Sequence, residues 1–177
     1  MLSYINSLDQ RTLLWIQEYF RSSTLDSLMV FFTRLGNWYL IWIFLAIALS
    51  IYPKTRRTAI LTLASLLLVF LVGEVFIKNL VQRPRPIDES VRTLLFYLPV
   101  TYSFPSGHAA SSFAASGVLA KSFPKYGLLL YALATFIAFS RVYLTLHYPS
   151  DFLAGILLGL ICSFLVLRID RRKSKQK

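Results

Sequence analysis

Three groups of residues in this sequence have the types and spacing to do chemistry. Lys78 is followed, after six residues, by Arg85 and Pro86. Pro105, Ser106, Gly107 and His108 are consecutive. Ser140 and Arg141 precede His147, and Asp151 follows four residues later. Both histidines of the chain lie in these groups. Three fixed cations repel a metal ion and attract an oxyanion carrying two or three charges. Arginine matches phosphate geometry through paired N–H donors. Ser106-Gly107-His108 opens a helix, where free backbone N–H groups bind phosphate and glycine permits close approach. Ser106 either caps that helix or donates its hydroxyl to the phosphate. A neutral imidazole attacks phosphorus when its other nitrogen is held by an acceptor. Asp151 is the carboxylate placed to hold His147, with Pro149 turning the chain between them. His108 is left as the general acid for the leaving oxygen and then as the base that activates water. The set predicts phosphoryl transfer with no metal and no cofactor.

These residues need elements to position them, and the composition says which. The chain has 177 residues, enough for one domain, and is 56% hydrophobic, with mean hydropathy +0.58. A soluble domain of this size has too much surface to carry so much apolar material. The apolar residues form long runs, roughly 25–52, 58–80, 107–121, 125–144 and 150–168. The pattern predicts an all-α polytopic membrane bundle of about five spans, one domain over 1–177. The third run is short for a span at about 1.5 Å per residue. Residues 4–21 form an amphipathic helix. Leu8, Leu13, Trp15, Ile16, Tyr19 and Phe20 make its apolar face, and Asp9, Gln10, Gln17, Glu18 and Arg21 the polar one. It is expected either at the membrane surface or packed on the protein. Lys78 ends the second run, His108 begins the third, Arg141 ends the fourth and Asp151 begins the fifth. Four helix ends therefore meet at one membrane face.

The net charge is +11, and it sits in the gaps between apolar runs. That favours anionic substrates and membrane topology over nucleic acid. Lys54, Arg56 and Arg57, then Lys121 and Lys125, then the basic tail 168–177 all fall on one side, taken as cytoplasmic. The tail is expected to touch anionic lipid. The connections 81–104 and 145–149 then face outside. Arg83 and Arg92 are expected to meet lipid headgroups or solvent, and Glu74 to pair with Lys78 one helical turn away. Gly155 with Gly159, Ala110 with Ala114, and Ser111 with Ala115 mark close helix packing. Cys162 reads as an apolar filler. The segment from Asp9 to Glu18 is too polar for a signal peptide, so the first span is expected to act as the targeting signal.

The constellation resembles the type 2 phosphatidic acid phosphatase family, which shares its site with vanadium haloperoxidases and bacterial acid phosphatases. The family pattern KxxxxxxRP is matched by Lys78, Arg85 and Pro86, PSGH by Pro105 to His108, and SRxxxxxHxxxD by Ser140, Arg141, His147 and Asp151. The resemblance implies that His147 forms a phosphohistidine, Asp151 orients it and His108 protonates the leaving group. It implies that Lys78, Arg85, Ser106, Gly107 and Arg141 hold the phosphate oxygens, with no metal and no cofactor. The compact size and outward site are similar to bacterial undecaprenyl diphosphate phosphatases, which recycle the carrier lipid of cell-wall synthesis in the cytoplasmic membrane. Phosphatidylglycerol phosphate, phosphatidic acid and diacylglycerol diphosphate are the rival substrates. A lipid phosphotransferase using the same site and a non-enzymatic lipid transporter or scaffold are the other classes.

Overall fold

Backbone groups in lipid must be satisfied within the segment that carries them, so apolar runs of this length become helices. The computed structural model describes residues 2–87, 95 and 101–175. Seven principal helices are present: α1 (Leu2–Phe20), α2 (Ser23–Gly36), α3 (Leu40–Ile51), α4 (Arg56–Val81), α5 (Gly107–Ser122), α6 (Gly127–Tyr143) and α7 (Pro149–Lys175). No strand occurs among the described residues. Arg92 and its expected headgroup contact lie outside them.

Four stretches are long and apolar enough to cross a membrane: Ser23–Ile51, Arg56–Val81, Pro124–Tyr143 and Pro149–Arg172. The first of them is α2 and α3 joined through a break at Trp38 and Tyr39, whose φ values of 52° and 60° are left-handed. The break is unexpected from hydropathy alone, because Trp38 and Tyr39 continue the apolar run. The second contains a π-helical stretch over Phe70–Ile77, a form concentrated at functional sites. The expected third span is α5. It is the centre of the bundle, enclosed by α4, α6 and α7. Its serines are therefore buried in protein: Ser112 accepts a 3.0 Å bond from Trp42 Nε1, and Ser116 donates at 3.0 Å to Leu130 O. α7 stays helical through residue 175, so the start of the expected basic tail extends the last span.

The helix ends sort as the charge pattern predicts. Arg57 at the start of α4 pairs with Asp170 near the end of α7 at 2.9 Å, and Thr58 bonds Ser122 at the end of α5 at 3.0 Å. The opposite ends of the same helices carry Lys78, His108, Arg141 and Asp151. α1 packs across α6 and α7 through buried Leu13 and Ile16, while Trp15, Tyr19 and Phe20 remain exposed. Asp9, assigned above to the polar outer face of this helix, points inward instead and is 3% exposed. The reason is a buried partner, described below.

The small residues interlock as their spacing predicts. A Cβ at Gly155 would strike Ser106 O and the Ala109 side chain, and one at Gly159 would strike Ala110 O and Ala114 N. The two at Gly159 are backbone atoms of α5 and cannot move aside. Gly159→Val is expected to destabilise the detergent-solubilised protein by about 1–3 kcal/mol through overpacking. Gly127→Ala serves as control, because its Cβ would meet only Ala120 Cβ at an ordinary 3.6 Å. Thermal unfolding of the two variants beside the wild type checks this, and equal melting would contradict it.

Candidate active site

The four helix ends surround a cavity of about 370 Å³, lined by Lys78, Arg85, His108, Arg141 and His147, with Gly107 at its wall. The structure thus brings together the cations and imidazoles singled out from the sequence. A larger cavity of about 610 Å³ lies at the other end of the bundle, between Lys121, Arg168 and Arg171. It holds neither histidine and cannot be the reacting centre.

Each cation has protein partners, and two of these, Glu74 and Thr101, line the cavity themselves. Lys78 is buried and pairs with Glu74 at 2.6 Å, the i,i+4 contact expected from the sequence. Arg85 donates to Thr101 O at 2.6 Å, Leu146 O at 2.8 Å and Tyr102 O at 3.1 Å. Burial lowers its pKa to about 10, which leaves it a cation at neutral pH. Arg141 donates from one terminal nitrogen to Thr33 Oγ1 at 2.7 Å. Its buried Nε–H has no partner among the described residues, and neither has the buried Ser106 hydroxyl. Ser106 precedes α5 in extended conformation and makes no side-chain cap bond. Of its two expected uses, capping is not made. Buried polar groups without partners are rare. Here three buried donors are left without partners among the described residues, the Thr145 hydroxyl being the third. Gly107 lacks the Cβ that would collide with Glu74 Oε1. Glycine thereby lets the Lys78–Glu74 pair approach the start of α5.

His147 lies in the connection between α6 and α7, outside the spanning segments. Its Nε2 is 2.9 Å from an Arg85 terminal nitrogen. Guanidinium can only donate, so Nε2 is the bare nitrogen and Nδ1 carries the proton. Burial, with the charges of Arg85, Arg141 and Lys78, pushes the imidazole well below its ordinary 6.5. It is therefore a neutral base at physiological pH. Asp151 Oδ2 stands 3.7 Å from Nδ1, an ion-pair rather than a hydrogen-bond distance. The nearer oxygen is Ser103 Oγ at 3.4 Å, which donates to Asp151 Oδ2 at 2.5 Å. Asp151 lies on the proton-bearing side of His147 but makes no hydrogen bond to it, so the expected direct hold on Nδ1–H is not made, and Ser103 stands beside the gap.

Attack on phosphorus needs the neutral imidazole, present only above its pKa. Because that pKa is lowered, the acid limb of kcat/KM is expected below pH 6.5, once the substrate's own ionisation is divided out. A pH–rate profile checks this, and an enzyme limb at or above 6.5 would contradict it.

His108 begins α5 on the other wall. Its Nε2 lies 3.1 Å from both Thr33 O and Asn37 Oδ1. Both are acceptors, so this nitrogen holds a proton. Delivery of that proton to a leaving oxygen requires the substrate to displace one of these acceptors.

Several residues of the site were not singled out from the sequence: Thr33 and Asn37 at the end of α2, Thr101 and Ser103 before the second motif, and Arg83. Asn37 reads from hydropathy as the interfacial end of a span, yet it bonds His108. Arg83 is not a headgroup or solvent contact. It is 16% exposed and pairs with Asp151 Oδ1 at 2.6 Å and Asp9 Oδ2 at 2.7 Å. Net of burial, which opposes its charge, Asp9 and Asp151 raise its pKa.

The chain resembles known proteins in sequence and fold. The PAP2 superfamily model matches residues 57–175. An undecaprenyl-diphosphatase of Sulfolobus acidocaldarius is 36% identical over 154 residues, covering 86% of this chain and 74% of that protein. The crystal structure of LpxE from Aquifex aeolicus superposes with TM-score 0.77 at 28% identity, covering 91% of this chain and 95% of that one. A transmembrane PAP2-type phosphatidylglycerolphosphate phosphatase from Bacillus subtilis superposes with TM-score 0.72 at 26% identity, covering 96% of this chain and 87% of that one. The chain therefore belongs to the PAP2 superfamily, as a multi-pass membrane hydrolase of phosphoric ester bonds.

Proposed function

We propose that this protein dephosphorylates a lipid phosphate or diphosphate through a phosphohistidine on His147, with undecaprenyl diphosphate as the substrate and undecaprenyl phosphate as the product. The observation that carries the mechanism is the His147 tautomer. Nε2 is bare and turned to the cationic cavity, while Nδ1–H faces Ser103 and Asp151. In the first step Arg85 turns its N–H from Nε2 to a phosphate oxygen, and the freed lone pair forms a bond to phosphorus as the bond to the leaving oxygen breaks. His108, protonated on both ring nitrogens when the lipid phosphate is bound, supplies its Nε2 proton to that oxygen and becomes neutral. The imidazole becomes cationic, and the Asp151 charge stabilises it. In the second step water attacks phosphorus and yields a proton to His108. The N–P bond breaks and orthophosphate leaves. Lys78, Arg85, Arg141, the Ser106 hydroxyl and the N–H groups at the start of α5 stabilise the charge on the equatorial oxygens.

A lipid substrate is supported by the cavity's rim. Trp38 and Phe70 line it and are 78% and 46% exposed on the bundle's side. A chain can leave there between α3 and α4 and remain in the bilayer. An outward-facing site is supported by the basic residues at the opposite helix ends. Undecaprenyl diphosphate is favoured by the Sulfolobus relative. Metal independence is supported by the same three cations, which oppose a divalent ion in the cavity.

The test is phosphate release by purified protein in detergent with EDTA. Undecaprenyl diphosphate, phosphatidylglycerol phosphate and phosphatidic acid are offered side by side. The proposal expects EDTA-resistant release, highest kcat/KM for the diphosphate. Preference for another lipid would overturn the substrate. Release that depends on an added lipid acceptor would make the protein a phosphotransferase.

A further inference from the structure

The N-terminal helix reaches the reacting histidine through a chain of charges that the three motifs do not contain. Asp9 of α1 is buried at 3% exposure. Its Oδ1 accepts from Ser150 N at 2.9 Å, in the first turn of α7. Its Oδ2 accepts from Ser150 Oγ at 2.5 Å and from an Arg83 terminal nitrogen at 2.7 Å. The other terminal nitrogen of Arg83 donates to Asp151 Oδ1 at 2.6 Å and Ser150 Oγ at 2.7 Å. The guanidinium also lies 3.9 Å above the Tyr148 ring, and Asn6 of α1 accepts from it at 2.9 Å. One guanidinium is thus shared between two buried carboxylates, one of which faces His147.

We propose that Asp9 is a positioning residue for the reaction, acting through Arg83 on Asp151. Resting on the phosphohistidine chemistry above, it makes α1 a required part of the site. Asp151 has two jobs on two oxygens. Oδ1 is taken by Arg83, and Oδ2 accepts from Ser103 Oγ and Tyr148 N and faces His147 Nδ1. The plane of the carboxylate decides whether both jobs are met. Asp9 holds Arg83 from the far side and holds the backbone that carries Asp151. Without the Asp9 charge, Arg83 is free to close on Asp151 with both terminal nitrogens. The carboxylate then turns, and its charge is drawn from the imidazole. Such displacement in the shell behind a reacting group commonly lowers rate by about tenfold to a hundredfold.

The phosphate oxygens are held by Lys78, Arg85 and Arg141, none of which contacts Asp9. The effect is therefore specific to the bond made by His147. Asp9→Asn keeps the shape and an acceptor for Ser150 and removes the charge. It is expected to lower kcat about tenfold with KM within twofold, and Asp9→Glu to recover part of the loss. In an Arg83→Met background the Asp9→Asn change is expected to have no further effect. A parallel measurement does not depend on the substrate's identity. Orthovanadate takes a bond from the oriented imidazole, whereas inorganic phosphate is held by the cations, the Ser106 hydroxyl and the N–H groups at the start of α5, with no bond to His147. Asp9→Asn is expected to weaken vanadate binding about tenfold and leave phosphate binding within twofold. Unchanged vanadate binding, an equal loss for both anions, or the same loss in the Arg83→Met background would each overturn the positioning role. Failure of the wild type to hydrolyse any lipid, with the vanadate difference intact, would overturn the proposed function and leave the role of Asp9 standing.

Discussion

His147→Ala is expected to lower kcat at least 10³-fold, as loss of a covalent nucleophile does in other enzymes with oriented bases. The structure gives no substitute nitrogen. The other imidazole, His108, has its Nε2 committed to Thr33 O and Asn37 Oδ1. The variant should still fold. His147 sits in a connection rather than in the packed interior of a helix, and its loss relieves the proximity of four cationic or titratable groups. Steady-state phosphate release, with circular dichroism as the folding control, checks this. Activity within tenfold of wild type would remove His147 from the reaction.

Arg141→Gln is expected to lower kcat by about 10²–10³-fold, the usual effect of losing one preorganised donor to a developing anion. Arg141 is 5% exposed and tied to Thr33, so its Nε–H direction is fixed before any ligand arrives. That donor has no protein partner among the described residues, and the proposed function gives it to the reacting group. Glutamine can still reach toward Thr33 but lacks the charge and the second donor. KM should change less than kcat, because the phosphate also meets Lys78 and Arg85 in the ground state. Kinetics on the substrate with the highest wild-type rate check this, and a rise in KM with kcat unchanged would show that Arg141 only binds.

Much of this site was legible before the structure. Lys78, Arg85, Ser106, His108, Arg141, His147 and Asp151 lie at the ends of apolar runs, and run ends in a membrane bundle converge on one face. Gly155 and Gly159 announce a close packing face, and they meet Ala110 and Ala114 on α5. What hydropathy misses is contact between distant segments. Asp9 reads as solvated because it is charged, yet its spacing of four and seven residues from Leu13 and Ile16 sets it on their buried face. Its partner Arg83 is 74 residues away, and Arg83 meets Asp151 across another 68. Asn37 looks interfacial because polarity inside an apolar run usually marks the water boundary. Here the chain breaks at Trp38 and Tyr39, inside the same span, and turns Asn37 onto His108. Asp151 is placed correctly by spacing, but the Ser103 hydroxyl beside its gap to His147 has no signature in the sequence.

The central claim is the covalent bond between phosphorus and His147, and trapping it is the most direct test. Purified protein is mixed briefly with lipid diphosphate labelled on its terminal phosphate and quenched in alkaline detergent, where phosphohistidine survives. The account predicts label on the wild-type protein that is lost in acid, maps to the peptide containing His147, and is absent from His147→Ala. Rapid phosphate release with no label on the wild type, or label that persists in His147→Ala, would contradict it.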